Sequence, residues 1–317
     1  MLIVASGLAA FIPMFLYLVI IWFYDRYDRE PFGYVLKNYF WGAFGAIILA
    51  IIWSIILSNA ISLFVKNPAH LNNIESMFLA PFVEEITKGV FLLFTVRSRR
   101  FDNITDGIVY GGAIGLGFGM TENFLYFISF GTTLSGWISI VIIRTLFSAV
   151  MHCVATATFG AFLAYSKFKS TVYKIILPGV GLLLAMVLHS VWNISVSFES
   201  TALLGLLFII FSVAIFISVF SISISGEKKI IFGELLEEAE RGLIPVEHLT
   251  ILNSHRRNSL GWVDESIRKL YIRAATTLAF RKMQAKNSKG LSRVYYEDDV
   301  EYYRNFIQNL LTQKVIK

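Results

Sequence analysis

The chain has 317 residues, of which 56% are hydrophobic, 15% aromatic and only 16% charged, against the ~45–50% apolar share of soluble domains. That composition excludes a soluble globular protein and implies an integral membrane protein, while the single cysteine, Cys153, excludes an internal disulfide framework or a cysteine-rich zinc site. The net charge of +6 is concentrated in loops on one side of the membrane and in the C-terminal tail, so it reports topology rather than a nucleic-acid partner.

Residues 2–23 form a long apolar run with no charged segment before it and no small-residue cleavage site after it, which predicts an uncleaved first span. Further spans are predicted at 39–65, 77–96, 107–130, 137–165, 175–196 and 201–225, each near the ~17–25 residues that a bilayer requires, with the second and fifth long enough to tilt. The expected count is about seven. Basic residues mark alternate loops: Arg26, Arg29 and Lys37, then Arg97, Arg99 and Arg100, then Lys167, Lys169 and Lys174, then Lys228 and Lys229. The intervening loops hold only Lys66 and His70 against Glu75, no charge at 131–136, and Glu199. Cytoplasmic loops are the basic ones, so the N-terminus is expected outside and the C-terminus inside.

The expected fold is therefore an all-α polytopic bundle over 1–225, followed by a cytoplasmic charged helical tail over 226–317. The tail carries sixteen Lys and Arg against twelve Asp and Glu. Helices are expected at 233–241, 264–286 and 298–313, the middle one with apolar residues at Ile267, Leu270, Ala274 and Leu278 and basic residues elsewhere. Such a basic helix is a charged solvated tail or a surface that docks on the membrane. It carries no catalytic pattern.

The costliest stretch is Ala80-Pro81-Phe82-Val83-Glu84-Glu85-Ile86-Thr87-Lys88-Gly89, two adjacent carboxylates and an ammonium inside a predicted span. Ionisable groups at that depth cost ~2.5–3.5 kcal/mol each and face a bundle interior or a water-filled cavity. Lys88 stands at i+4 from Glu84 and i+3 from Glu85 and can reach either. A structural ion pair needs one glutamate, so the second is surplus and points to a proton, a cation or a catalytic task.

Other spans add to this layer. The fourth carries Glu122-Asn123 after a glycine run at 107, 111, 112, 115, 117 and 119, a small-residue face for close helix packing. The fifth holds Arg144 and His152, and the sixth holds His189 and Asn193 one turn apart on one face. Taken singly, a buried histidine reads as a packing residue, Arg144 as a counter-charge and Cys153 as an apolar filler pointing away from His152. At ~1.5 Å per residue, Glu84, Glu85, Glu122, Arg144 and His189 all fall roughly 10–12 Å into the bilayer, with His152 about two turns deeper.

The sequence has no Gly-x-Ser-Gly serine motif, no His-Glu-x-x-His zinc motif and no pair of intramembrane aspartates. Glutamate with histidine remains, the pair by which a carboxylate takes a proton from water with an imidazole assisting. The same layer also suits a proton- or cation-coupled transporter, or packing alone in a catalytically idle scaffold.

The residues that carry these groups resemble the PrsW-type intramembrane proteases, related to the CAAX-prenyl-protease and bacteriocin-processing superfamily. The resemblance runs from Asp25-Arg26-Tyr27-Asp28-Arg29-Glu30-Pro31 through Phe40-Trp41-Gly42-Ala43-Phe44 to His189-Ser190-Val191-Trp192-Asn193. Its specific parts are Glu84-Glu85-x-x-Lys88, Phe118-x-x-x-Glu122-Asn123, His152 and His189-x-x-x-Asn193. It implies a membrane endopeptidase of a bacterial plasma membrane that cuts single-span, anti-sigma-factor-like substrates near the outer face. It further implies that Glu84 and Glu85 activate water and that His189 and Asn193 hold the oxyanion. Members of the prenyl-protease type carry histidine where this chain has Glu122, which leaves His152 to supply that imidazole. The expected site is thus Glu84, Glu85, Glu122, His152, His189 and Asn193, supported by Lys88, Asn123 and Arg144. The expected chemistry needs no cofactor, and the metal alternative is a divalent ion such as zinc on Glu84, Glu85, Glu122, His152 and His189.

Overall fold

Long apolar runs without strand punctuation give helices, and a computed structural model describing residues 2–98 and 101–312 is helical throughout, with no strand among the described residues. Arg99, Arg100 and Gln313, expected in a basic loop and at a helix end, lie outside them. In chain order α1 is Leu2–Tyr24, α2 Phe32–Phe40, α3 Ile47–Ser62, α4 Pro68–Ile74, α5 Ala80–Thr95, α6 Ile104–Phe130, α7 Leu134–Ile143, α8 Ala149–Ser166, α9 Thr171–Ser197, α10 Ala202–Glu240, α11 Val246–Leu252, α12 Glu265–Asn287 and α13 Leu291–Thr312. Three wide π turns, Trp41–Ala46, Glu75–Leu79 and Arg144–Ser148, join α2 to α3, α4 to α5 and α7 to α8 without a break.

Five helical stretches are long and apolar enough to cross a membrane: Leu2–Tyr24, Phe32–Ser62, Leu134–Ser166, Thr171–Ser197 and Glu199–Glu240. The expected third and fourth spans, α5 and α6, are not among them. Their carboxylates, lysine and glycines take them below the apolar density of the rest. The third also begins earlier than expected, because Asn67 accepts from the Ala69 and His70 N–H groups and Pro68 occupies the first turn, a start signal that makes 68–95 one helical run. The expected break between 225 and 233 is absent as well. Gly226 and Gly233 sit inside α10 with open space around them, and a glycine costs a helix only ~1 kcal/mol.

By contacts the chain divides into two units, Met1–Asp25 with Glu30–Phe220, and Arg26–Arg29 with Ser221–Lys317. In the first, α1 buries only Ser6, Ala10, Met14 and Leu18, one stripe at four-residue spacing. Leu8, Ile12, Leu16 and Ile20 on another face are exposed, the inverse of a soluble helix and suited to lipid. Helix α6 is the hub, packed by α1, α2 and α8. A Cβ at Gly107 would strike the Gly160 carbonyl, one at Gly111 would lie 2.5 Å from the Thr156 oxygen, and one at Gly115 would strike the His152 carbonyl. Glycine at every fourth position therefore lets α8 approach α6 backbone to backbone. Gly42 and Gly117 do the same where the first π turn crosses α6.

The second unit has a conventional core. Ile231, Leu235, Leu249, Leu252, Tyr271, Ala275, Leu278 and Phe280 are buried together with Tyr27. The buried face of α12 runs through Tyr271, Ala274, Ala275, Leu278 and Lys282, while Leu270, expected on that face, is half exposed. The tail is thus a packed helical unit rather than a solvated extension. Arg257 donates to the carbonyls of Arg26 and Tyr27 at 2.7 and 3.0 Å, which ties residues 26–29 into it.

Candidate active site

Pro81 follows the π turn Glu75–Leu79 inside the continuous 68–95 run, where it cannot donate to the preceding turn and the Ser76 carbonyl is bonded by Asn193 instead, and the helix then presents Glu84, Glu85 and Lys88 along one side. The glycine contact between α6 and α8 brings Glu122 and His152 together, and α9 adds His189. Every one of these polar side chains lies in a single cluster. His152 joins it directly, although it stands two turns along the helix from Arg144. Glu122 accepts from His152 Nε2 at 2.6 Å and forms an ion pair with Arg144 Nη2 at 2.7 Å. The reach of the arginine side chain spans the two turns that separate residues 144 and 152.

The two adjacent glutamates have different surroundings. Glu85 is 1% exposed and fully bonded: its Oε1 accepts from Lys88 Nζ at 2.7 Å and His189 Nδ1 at 2.9 Å, and its Oε2 from Thr156 Oγ1 at 3.0 Å. Glu84 has a 14% exposed side chain and only long contacts, 3.7 Å to Lys88 Nζ and 3.8 Å to His189 Nε2. Its Oε2 has no hydrogen-bond partner. One carboxylate is therefore a fixed brace, and the other is an available acceptor.

Lys88 is the centre of the cluster. It is 0% exposed, donates to Glu85 Oε1 and to His152 Nδ1 at 2.9 Å, and sits 4.1 Å from the centroid of the Phe118 ring. An ammonium has only donors, so Nδ1 of His152 accepts and its Nε2–H donates to Glu122. A carboxylate has only acceptors, so Nδ1–H of His189 donates to Glu85 and leaves the lone pair on Nε2. The two imidazole rings are perpendicular with centroids 4.8 Å apart.

The supporting residues hold the rim and the frame. Arg144 lies 3.6 Å over the Tyr126 ring and donates through Nε to Asn123 Oδ1 at 3.0 Å. Asn193 donates to the Ser76 carbonyl at 2.8 Å, inside the π turn Glu75–Leu79, which fixes α9 beside α5 and leaves the amide a second proton. Sequence reasoning missed Thr156 and Tyr126. Thr156 had a signal, since it stands four residues after His152 on the same helix face. Tyr126, an aromatic in an apolar span, had none.

Glu84, His152 and His189 each offer a ligand atom, all within 4.8 Å of one another, and so form a possible metal site. The donor types suit zinc, and the carboxylates behind both histidines match the usual outer partners of metal-bound imidazole. Glu85 and Glu122 of the expected ligand set are instead bonded to Lys88, His189, Thr156, His152 and Arg144. Both ring nitrogens of His152 are also engaged, one by Glu122 and one by Lys88. The arrangement therefore does not fit a metal ion while Lys88 keeps that bond.

Comparison with known proteins adds the family. A model described as PrsW family intramembrane metalloprotease matches residues 30–221. Protease PrsW of Clostridioides difficile is 26% identical over 241 residues, covering 74% of this chain and 98% of the relative. Protease PrsW of Bacillus subtilis is 27% identical over 194 residues, covering 60% and 81%, and that of Geobacillus kaustophilus 28% over 170 residues, covering 53% and 69%. No solved structure matches the chain.

Proposed function

The chain belongs to the PrsW family of intramembrane proteases, a multi-pass bacterial membrane protein, and from that premise we propose that it hydrolyses a peptide bond in a membrane-anchored substrate with water activated by Glu84. The observation that carries this reading is the unpartnered Glu84 Oε2, on a side chain that is 14% exposed as a whole, set 3.8 Å from His189 Nε2. One water hydrogen bonded to both atoms spans that separation. Glu84 takes the water proton as the oxygen attacks the scissile carbonyl carbon, and returns it to the amine as the carbon–nitrogen bond breaks. Glu85 holds His189 in the tautomer that orients the water, and the free amide proton of Asn193 is the donor for the oxyanion.

The substrate class is a single-span protein of the anti-sigma-factor type, locally unwound at the cut, because a helix hides its carbonyls in hydrogen bonds. In this reading α5 and α6 also cross the bilayer, which makes seven spans with the N-terminus outside and the basic loops inside.

The test is cleavage of single-span reporters by the purified protein in lipid. Glu84→Gln is expected to lower the rate by ~10²–10⁴, the usual worth of a general acid–base group, in a protein that unfolds at the wild-type temperature. Full activity in Glu84→Gln would overturn the assignment. Proton or cation flux abolished by the same substitution, with no reporter cut, would make the layer a transport path instead.

A further inference from the structure

Three carboxylates, Glu84, Glu85 and Glu122, share the cluster with two fixed cations, Lys88 and Arg144. Arg144 is paired with Glu122 at the rim, where its side chain is 12% exposed. Lys88 alone serves the buried side, within 2.7–3.7 Å of Glu85, Glu84 and the Nδ1 atom of His152. These are the positions a divalent ion would need, since Glu84 and His152 are two of the three residues close enough to ligate one.

We propose that the Lys88 ammonium is the resident cation of this centre, a positioning residue that occupies the coordination space of Glu84, His152 and His189 and so excludes a divalent metal. The inference deepens the proteolytic reading above and rests on it for the role of Glu84. A metal bonded to His152 Nδ1 and an ammonium donating to the same lone pair are mutually exclusive. Without Lys88 the three carboxylates face one cation, and the two-unit deficit is what a divalent ion supplies. The histidines are already braced by carboxylates at their far nitrogens, as metal-bound imidazoles are. Removing one ammonium therefore converts a lysine-centred site into a metal-centred one.

The experiment is metal content of the purified full-length protein in lipid after exposure to zinc or cobalt(II) and removal of free ion, for wild type, Lys88→Met, and Lys88→Met combined with Glu84→Gln or His189→Gln. Wild type is expected to retain no stoichiometric metal. Lys88→Met is expected to retain about one ion per chain, with the cobalt(II) absorption of a low-coordinate site, and each double variant to lose it. A merely structural lysine would not generate that spectrum. A wild-type protein that retains one zinc per chain, lost in Glu84→Gln or His189→Gln alone, would overturn the proposal, as would a folded Lys88→Met that binds none. If Lys88→Met does not fold, the wild-type zinc content decides between the same two outcomes. Metal content is read without proteolysis, so failure here is separate from failure to cut any reporter.

Discussion

Glu84 and Glu85 are chain neighbours, yet burial and bonding assign them opposite duties, and their substitutions should separate accordingly. Glu85→Gln removes the charge facing Lys88 and puts an amide donor where Thr156 donates to Oε2, and a sealed ammonium without its closest counter-charge costs ~3–5 kcal/mol. Glu84→Gln disturbs only contacts of 3.7 and 3.8 Å and should leave stability within ~1 kcal/mol. Thermal unfolding of the two variants in one detergent checks this, and a larger loss for Glu84→Gln would refute the division of roles. The charged members of the cluster were legible in the sequence because each has a price in a bilayer. Lys88 was legible as a partner but not as the hub, since spacing along α5 cannot show that α8 brings His152 Nδ1 to the same ammonium. Counting helix rise set His152 apart from Arg144, and it does not show that both meet at Glu122, since it ignores how far an arginine side chain reaches.

Glycines inside α6 and α10 do different work. Gly115 faces the His152 backbone with no room for a Cβ, so Gly115→Leu must push α8 away and pull His152 off Glu122. Overpacking of this kind costs ~1–3 kcal/mol or more, and here it should also abolish cleavage. Gly233 in α10 is exposed with nothing near it, so Gly233→Ala should stabilise its unit by ~0.4–1 kcal/mol by restricting the unfolded chain. Opposite signs for the two in unfolding experiments would support the packing account; equal signs would contradict it. The glycine run of α6 was readable as a packing face, and most helix positions were readable from apolar length. The three π turns were not, because an extra residue in a turn leaves an apolar pattern unchanged. They matter to the site: Ser76 receives Asn193 from inside one, Arg144 begins another, and Trp41, opening the third, donates to the Thr87 carbonyl at 3.2 Å.

The two units hide polar groups by opposite rules, and this gives the tail a pH response of its own. The first unit puts apolar side chains outward and its charges inward. The second buries Tyr271, Leu278 and Phe280 and places most of its charges at its surface, as a water-soluble unit does. Composition foretold its charged surface, but not its core, because the α12 face that packs begins at Tyr271 rather than at Ile267 and Leu270. Within it His248 stacks edge-on against Trp262 and Tyr271, with centroids at 5.1 and 5.6 Å, and shares a 3.1 Å hydrogen bond with the Tyr271 hydroxyl. Burial lowers the His248 pKa below its ordinary value of 6.5, against smaller opposing effects of Glu247 and the Trp262 backbone. A base with a depressed folded pKa binds fewer protons folded than unfolded, so its contribution is whole above the unfolded pKa and falls as the pH drops towards the folded one. Acidification from pH 7 to pH 5 should therefore weaken hydrogen-exchange protection in α11 and α12 of the full-length protein. His248→Gln should flatten that dependence. Protection that rises on acidification, or falls equally in His248→Gln, would remove His248 as the titrating group.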